Sequence, residues 1–274
     1  MRPQVSIIVR TVGTRPQLLL RALKSISAQT ITSLEVVIVE GGGKKTKPLI
    51  KQWQSKEPFA VKYIYQKDRR RSFLGNIGLL NASGKYVCFL DDDDLLRSNH
   101  LEELLNLKKK NPNSVAVYSL AQQHVQFIGT LLERKRLIGE HPYFRERLYL
   151  SNHLAIQSVI TEKRFIDKIG GFDLRLDALE DWDLWLRLSD LGQFSSTPIC
   201  TSEFFTKGGW INSERRKRNH AEAFKYIQSK YPLKRLGTTL DLSSINNYEL
   251  QNQIISFRKV SPPITRWLRL LLGL

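Results

Sequence analysis

The apolar run Tyr86-Val87-Cys88-Phe89-Leu90 ends abruptly in Asp91-Asp92-Asp93-Asp94, and no other stretch limits the fold so sharply. Consecutive apolar residues of this kind favour a buried strand. Four adjacent carboxylates repel one another and weaken local structure unless a cation sits among them. A buried strand delivering acids to its C-terminal end is therefore better read as a metal and phosphate site than as a solvated turn. In open α/β sheets, ligands bind at that edge.

The preceding residues supply the sheet. Residues 5–9 form a short strand pattern; Thr14 is placed to cap a following helix, with Pro16 in its first turn and Leu19, Leu20, Leu23 and Ile26 at helical spacing. A second strand is expected at 35–39, ending in Glu40-Gly41-Gly42-Gly43, then a short helix at 48–53 and a third strand at 61–65. A helix at 72–82, stopped by Gly84, leads into the Asp-tipped strand. This alternation predicts a parallel α/β sheet. Right-handed crossovers bring the loops after residues 9, 39 and 90 to one edge.

Further on, Ser98 is placed to cap a helix ending before Pro112. Strands are expected at 115–120, 125–128 and 155–160, with 134–153 irregular. A short helix at 164–169 stops at Gly170-Gly171. Residues 180–191 carry a strong helical pattern with Trp182 and Trp185 on one face, more consistent with core than with a sugar platform. From residue 206 the composition shifts: a basic run, Arg215-Arg216-Lys217-Arg218, precedes a helix at 221–231.

These segments together resemble the GT-A-fold, family-2 inverting glycosyltransferases. The resemblance covers roughly residues 4–205 and rests on an ordered set of motifs. They are Val5-Ser6-Ile7-Ile8-Val9, Leu34-Glu35-Val36-Val37-Ile38-Val39, Asn76-Ile77-Gly78-Leu79 with Ala82-Ser83-Gly84-Lys85-Tyr86, Phe89-Leu90-Asp91-Asp92-Asp93-Asp94, and Gly170-Gly171-Phe172-Asp173 with Glu180-Asp181-Trp182-Asp183-Leu184-Trp185. It implies a mixed, mainly parallel sheet flanked by helices over residues 1–205, with a basic, helical C-terminal extension over 206–274 that meets the acceptor or a membrane.

The same resemblance assigns the chemistry. A nucleoside-diphosphate sugar donor carries a diphosphate leaving group that Mn²⁺ or Mg²⁺ neutralises through hard oxygen ligands. Asp91 is implied near the ribose and Asp93 on the metal, with Asp91 sharing it. Four consecutive aspartates leave the frame open by one residue, so Asp92 and Asp94 are alternates. Asp181 is implied as the base for the acceptor hydroxyl, and Glu180 as an acceptor contact. Without the resemblance, these two acids read as residues that cap the helix and complement its dipole. Thr11, Glu40, Arg71 and Asn76 are implied in donor binding: Thr11 through its backbone, Glu40 at the base and Arg71 at the diphosphate. Glu40 stands where the family usually has Asp. His220 and Arg215-Arg216-Lys217-Arg218 are further candidates near the diphosphate, whereas Arg69 and Arg70 are expected to be solvated.

Composition sets the competing classes. The formal net charge is +17, and 41% of the 274 residues are hydrophobic. Such basicity attracts polyanions, so a nucleic-acid-binding α/β protein is a competing reading. No aromatic sheet motif or basic recognition helix supports it, and nucleic acid is not an expected partner. A nucleotide-sugar-binding protein without catalysis is the third class. The two cysteines lack framework spacing, which points to a reducing, cytoplasmic setting, with Cys88 a core thiol. The histidines lack zinc-ligand spacing. No run reaches the length of a membrane span or a secretory signal core. The stretch 266–274, after Pro262-Pro263, reads equally as an interfacial anchor at the inner membrane face or as a helix packed on protein. Anchoring would suit a lipid-linked acceptor.

Overall fold

The computed structural model describes residues 2–43, 45–127, 133–208 and 214–231. The first four strands are β1 (Val5–Thr11), β2 (Leu34–Gly41), β3 (Ala60–Gln66) and β4 (Tyr86–Asp91). They lie side by side and parallel in the order β3-β2-β1-β4. Helices α1 (Pro16–Ser27), α2 (Lys47–Gln54) and α3 (Arg71–Asn81) make the crossovers. The near-continuous apolar strands are those of a sheet covered on both faces: β1, β2 and most of β4 are buried throughout. One face packs on Leu19, Leu23 and Ile26 of α1, which join Ile7, Val9, Val36, Ile38, Cys88 and Leu90 in one core. Cys88 is fully buried there, and burial pushes its thiol up to about 12.

Beyond β4 the sheet becomes mixed. Short β5 (Leu95–Leu96) and helix α4 (His100–Lys110) lead to β6 (Ala116–Phe127) and β7 (Glu133–Ile138). Then come α5 (Arg145–Leu150), a 3-10 turn (Ile156–Ser158), β8 (Val159–Glu162), α6 (Lys163–Lys168), α7 (Glu180–Ser189), β9 (Phe194–Gly208) and α8 (Glu214–Lys230). β8 pairs antiparallel with both β4 and β6. β9 runs parallel to β6, β5 closes on β9, and β7 pairs with β6.

Several boundaries depart from the expectations. The strands expected at 115–120 and 125–128 are one strand, β6. The stretch expected to be irregular contains β7 and α5. The strand expected at 155–160 begins as a 3-10 turn. β9 had no apolar signal: it is rich in Ser and Thr and contains Pro198, which falls where the β6 register jumps from Thr197 to Cys200. A strand proline is tolerated at such a bulge. Thr14 does not cap α1; Arg15 holds that position without a side-chain cap bond, and Pro16 is the first helical residue. Asn99, not Ser98, precedes α4.

Residues 1–231 form one compact unit. It runs past residue 205 because α8 is tied to it. Asp183 of α7, wholly buried, accepts from Tyr231 Oη at 3.0 Å and pairs with Lys230 Nζ at 2.6 Å. Lys230 and Tyr226 also reach Asp173, each at 3.0 Å. The stretch 266–274 lies outside the described residues. Among the described residues, no helix is long and apolar enough to cross a membrane.

Candidate active site

Register brings the site together at the C-terminal edge of the parallel strands. Thr11 lies beside Glu40, and Arg10 beside Asp91. Arg10, 3% exposed, grips Asp91 with two bonds: Nε donates to Oδ1 at 2.8 Å and Nη2 to Oδ2 at 3.0 Å. Its remaining nitrogen, Nη1, donates to Glu180 Oε1 at 3.0 Å. Arg15 pairs with both Asp92 and Asp93. Neither arginine was a sequence candidate. The available signal was an arginine at the end of a strand too apolar to hold a charge without partners.

The four aspartates therefore differ. Burial opposes the Asp91 charge, but Arg10 and Arg71 outweigh it and hold the carboxyl below its usual range. Asp92 is 1% exposed and has both oxygens engaged, one accepting from Thr11 Oγ1 at 2.5 Å and the other paired with Arg15. Burial pushes Asp92 up to about 6. Asp93 is the more open, with its side chain 27% exposed. Asp94 is buried, and burial together with the charges of Asp91 and Asp93 raises its pKa well above the carboxylate range.

The second acidic cluster opens α7. Leu179, just before it, has φ 56° and is the one non-glycine with positive φ among the described residues. Strain of this kind collects at functional sites. Glu180 is 1% exposed, and its Oε2 has no hydrogen-bond partner. Asp181 Oδ2 accepts from Asn152 Nδ2 at 3.1 Å, and its Oδ1 from the Trp182 N–H at 2.8 Å. Burial, then the neighbouring Glu180 charge, push Asp181 up to about 6 against those two bonds. Arg71, at the first turn of α3, connects the clusters: its Nη1 lies 3.9 Å from Asp91 Oδ2 and 3.9 Å from Glu180 Oε1, with the side chain 58% exposed.

The other candidates make contacts within the protein. Glu40 is wholly buried, and its oxygens accept from Lys45 N, Thr46 N, Thr46 Oγ1 and Tyr63 Oη. It braces the loop after β2. The Asn76 amide makes a pair of hydrogen bonds with the Phe172 backbone, donating at 2.9 Å and accepting at 2.8 Å, and so fastens the Gly170-Gly171 turn to α3. Thr11 Oγ1 accepts from Gly13 N at 3.0 Å while donating to Asp92, which closes its loop internally. Asp92 is likewise a strut between β1 and β4. Arg70 pairs with Asp68, and Arg69 is exposed. Trp182 and Trp185 are core, at 1% and 0% exposed. His220 and Arg218 lie on α8, and the side chains of Arg215, Arg216 and Lys217 are outside those described.

The site is thus a sheet edge lined by paired acids, joined through Arg10 to a second acid pair at the start of α7. Residues 6–161 match the family model Glycosyl transferase family 2, and the chain belongs to that family. It is an enzyme, a glycosyltransferase. A glycosyltransferase of Haemophilus influenzae with uncharacterised activity is 27% identical over 76% of this chain and 71% of its own length. The GalNAc(5)-diNAcBac-PP-undecaprenol beta-1,3-glucosyltransferase of Campylobacter jejuni is 28% identical over 64% of this chain and 58% of its own. Several curated relatives are thus spanned over less than two thirds of their length.

Two solved structures share the fold. S. aureus TarS 1-349 in complex with UDP-GlcNAc aligns with TM-score 0.63 and 15% identity, over 82% of this chain and 66% of that one. The mannosyltransferase PcManGT of Pyrobaculum calidifontis, in complex with GDP-Man and Mn²⁺, aligns with TM-score 0.61 and 18% identity, over 84% and 64%.

Proposed function

We propose that this enzyme moves a sugar from a nucleoside-diphosphate donor to a glycan or lipid-linked acceptor with inversion, and that Asp181 is the general base. The observation that carries this is the half-buried Asp181 carboxyl at the start of α7, held by Asn152 and the Trp182 N–H beside Glu180, and pushed up to about 6 within the same charge network as Asp91 and Asp93. A base poised near neutral pH is the efficient one. Asp181 takes the acceptor hydroxyl proton as the hydroxyl oxygen bonds to the anomeric carbon. The bond from that carbon to the diphosphate oxygen breaks, and its electron pair leaves with the nucleoside diphosphate. Attack opposite the leaving group inverts the centre.

Asp93 and Asp91 are the residues proposed to hold Mn²⁺ or Mg²⁺. The exposure of these two carboxylates supports this: the Asp93 side chain is 27% exposed and that of Asp91 18%, against 1% for Asp92. Among the described residues, no group of three or more His, Cys, Asp or Glu is arranged to hold a metal ion. The ligand set therefore takes one or two carboxylates from the protein and the rest from phosphate and water. When bound, the ion neutralises charge on the departing diphosphate. Arg71, partly exposed between both clusters, faces the diphosphate. Glu180 Oε2, buried and unpaired, accepts from an acceptor hydroxyl. The name of the Campylobacter relative favours a lipid-linked acceptor, and with it a place at the inner face of a membrane.

The test is a panel of nucleotide sugars, including UDP-GlcNAc and GDP-mannose, scored for thermal stabilisation with and without Mn²⁺ or Mg²⁺, followed by transfer assays. Asp181→Asn should keep donor binding and lose transfer. Transfer at the wild-type rate in that variant would refute the base assignment.

A further inference from the structure

We propose that Arg10 is a positioning residue for transfer, holding the donor-side acid Asp91 and the acceptor-side acid Glu180 at one fixed separation. The inference rests on the glycosyltransferase reading of this site. Asp91 and Glu180 lie 89 positions apart in sequence, on a strand tip and a helix start that share no backbone pairing. Three guanidinium bonds of 2.8–3.0 Å join them through one buried side chain. The base Asp181 follows Glu180 directly, so whatever sets Glu180 also sets Asp181 against the donor.

The guanidinium is itself held. Its carbon lies 5.7 Å from the centre of the Phe172 ring. That ring meets Phe89 edge-on at 5.0 Å, and the Phe172 backbone is fastened by Asn76. On the Glu180 side, Leu179 in its left-handed conformation turns the chain into α7. A planar five-donor fork suits such a bridge, and a lysine ammonium does not span it. Arg71 addresses the same two acids at 3.9 Å, beyond hydrogen-bond reach, with most of its side chain exposed. The two arginines divide the work: the buried one fixes the acids, and the exposed one reaches the ligand. Arg15 makes a useful contrast because it pairs with donor-side acids alone.

The experiment compares kcat and donor KM for wild type, Arg10→Lys and Arg15→Lys, following nucleoside diphosphate release from UDP-GlcNAc or GDP-mannose with Mn²⁺. A misplacement near 1 Å lowers rate about 100-fold, so Arg10→Lys should lose about that much kcat with donor KM held within about threefold. Arg15→Lys should do the reverse, raising donor KM more than it lowers kcat. A parallel rise of KM in Arg10→Lys, or kcat within about threefold of wild type, would overturn the proposal. If circular dichroism shows Arg10→Lys unfolded, Arg10→Gln is the second variant, a neutral donor too short to bond both acids at once. The same kcat loss is expected, and wild-type kcat would overturn the idea. A wild type that binds no nucleotide sugar would overturn the donor-site reading beneath it.

Discussion

Asn152→Ala tests the electrostatics of Asp181, the proposed base. In the structure, Asn152 donates to Asp181 Oδ2 at 3.1 Å, and this bond favours the ionised carboxylate. Burial and Glu180 act the other way, leaving Asp181 at about 6. A hydrogen bond to a charged group contributes about 1.5–3 kcal/mol. Because Asp181 is only half-buried by exposure, the lower end applies, and about 1.4 kcal/mol corresponds to one pH unit. The base must be ionised to work, so kcat rises with pH through its pKa. The wild-type limb should lie near pH 6, and in Asn152→Ala it should move up by about one unit. Glu180→Gln, which removes the neighbouring negative charge, should move the limb down. The assay is kcat against pH at saturating donor, on protein shown to be folded at each pH. A limb that stays in place in both variants would refute the assignment of that ionisation to Asp181.

Gly13 has φ +69°, and an added Cβ would run into the Glu40 carboxylate. Gly13→Ala should therefore destabilise the fold by about 2–4 kcal/mol, measured by urea unfolding. Asp183 is wholly buried between Lys230, Tyr231 and Arg187. Asp183→Asn should cost about 3 kcal/mol, and limited proteolysis should then cut more readily within α8. Asp93→Asn should weaken Mn²⁺-dependent donor binding far more than Asn76→Ala does, since Asn76 is spent on the Phe172 backbone; calorimetry with UDP or GDP and Mn²⁺ reads the difference.

The parallel half of the fold was legible because its signals are local. Apolar runs bounded by Gly, Pro and acids mark β1, β2 and β4 without any knowledge of their neighbours. β9 was not legible: its Ser- and Thr-rich sequence forms a strand because β6 offers it a long unpaired edge. At the site, residue types were readable and side-chain directions were not. Glu40, Asn76 and Asp92 turn their polar atoms to backbone, hydroxyl and guanidinium groups nearby. Arg10, Arg15 and Asn152 escaped notice because their partners come from 29 to 170 positions away. Only strand register and the packing of α7 bring these charges together.

The central claim, single displacement with Asp181 as base, is tested most directly by product stereochemistry. Proton NMR of the first product formed from an α-linked nucleotide sugar should show the β-anomer in the wild type, with no product from Asp181→Asn on the same timescale. An α-anomer as the first product would contradict the account.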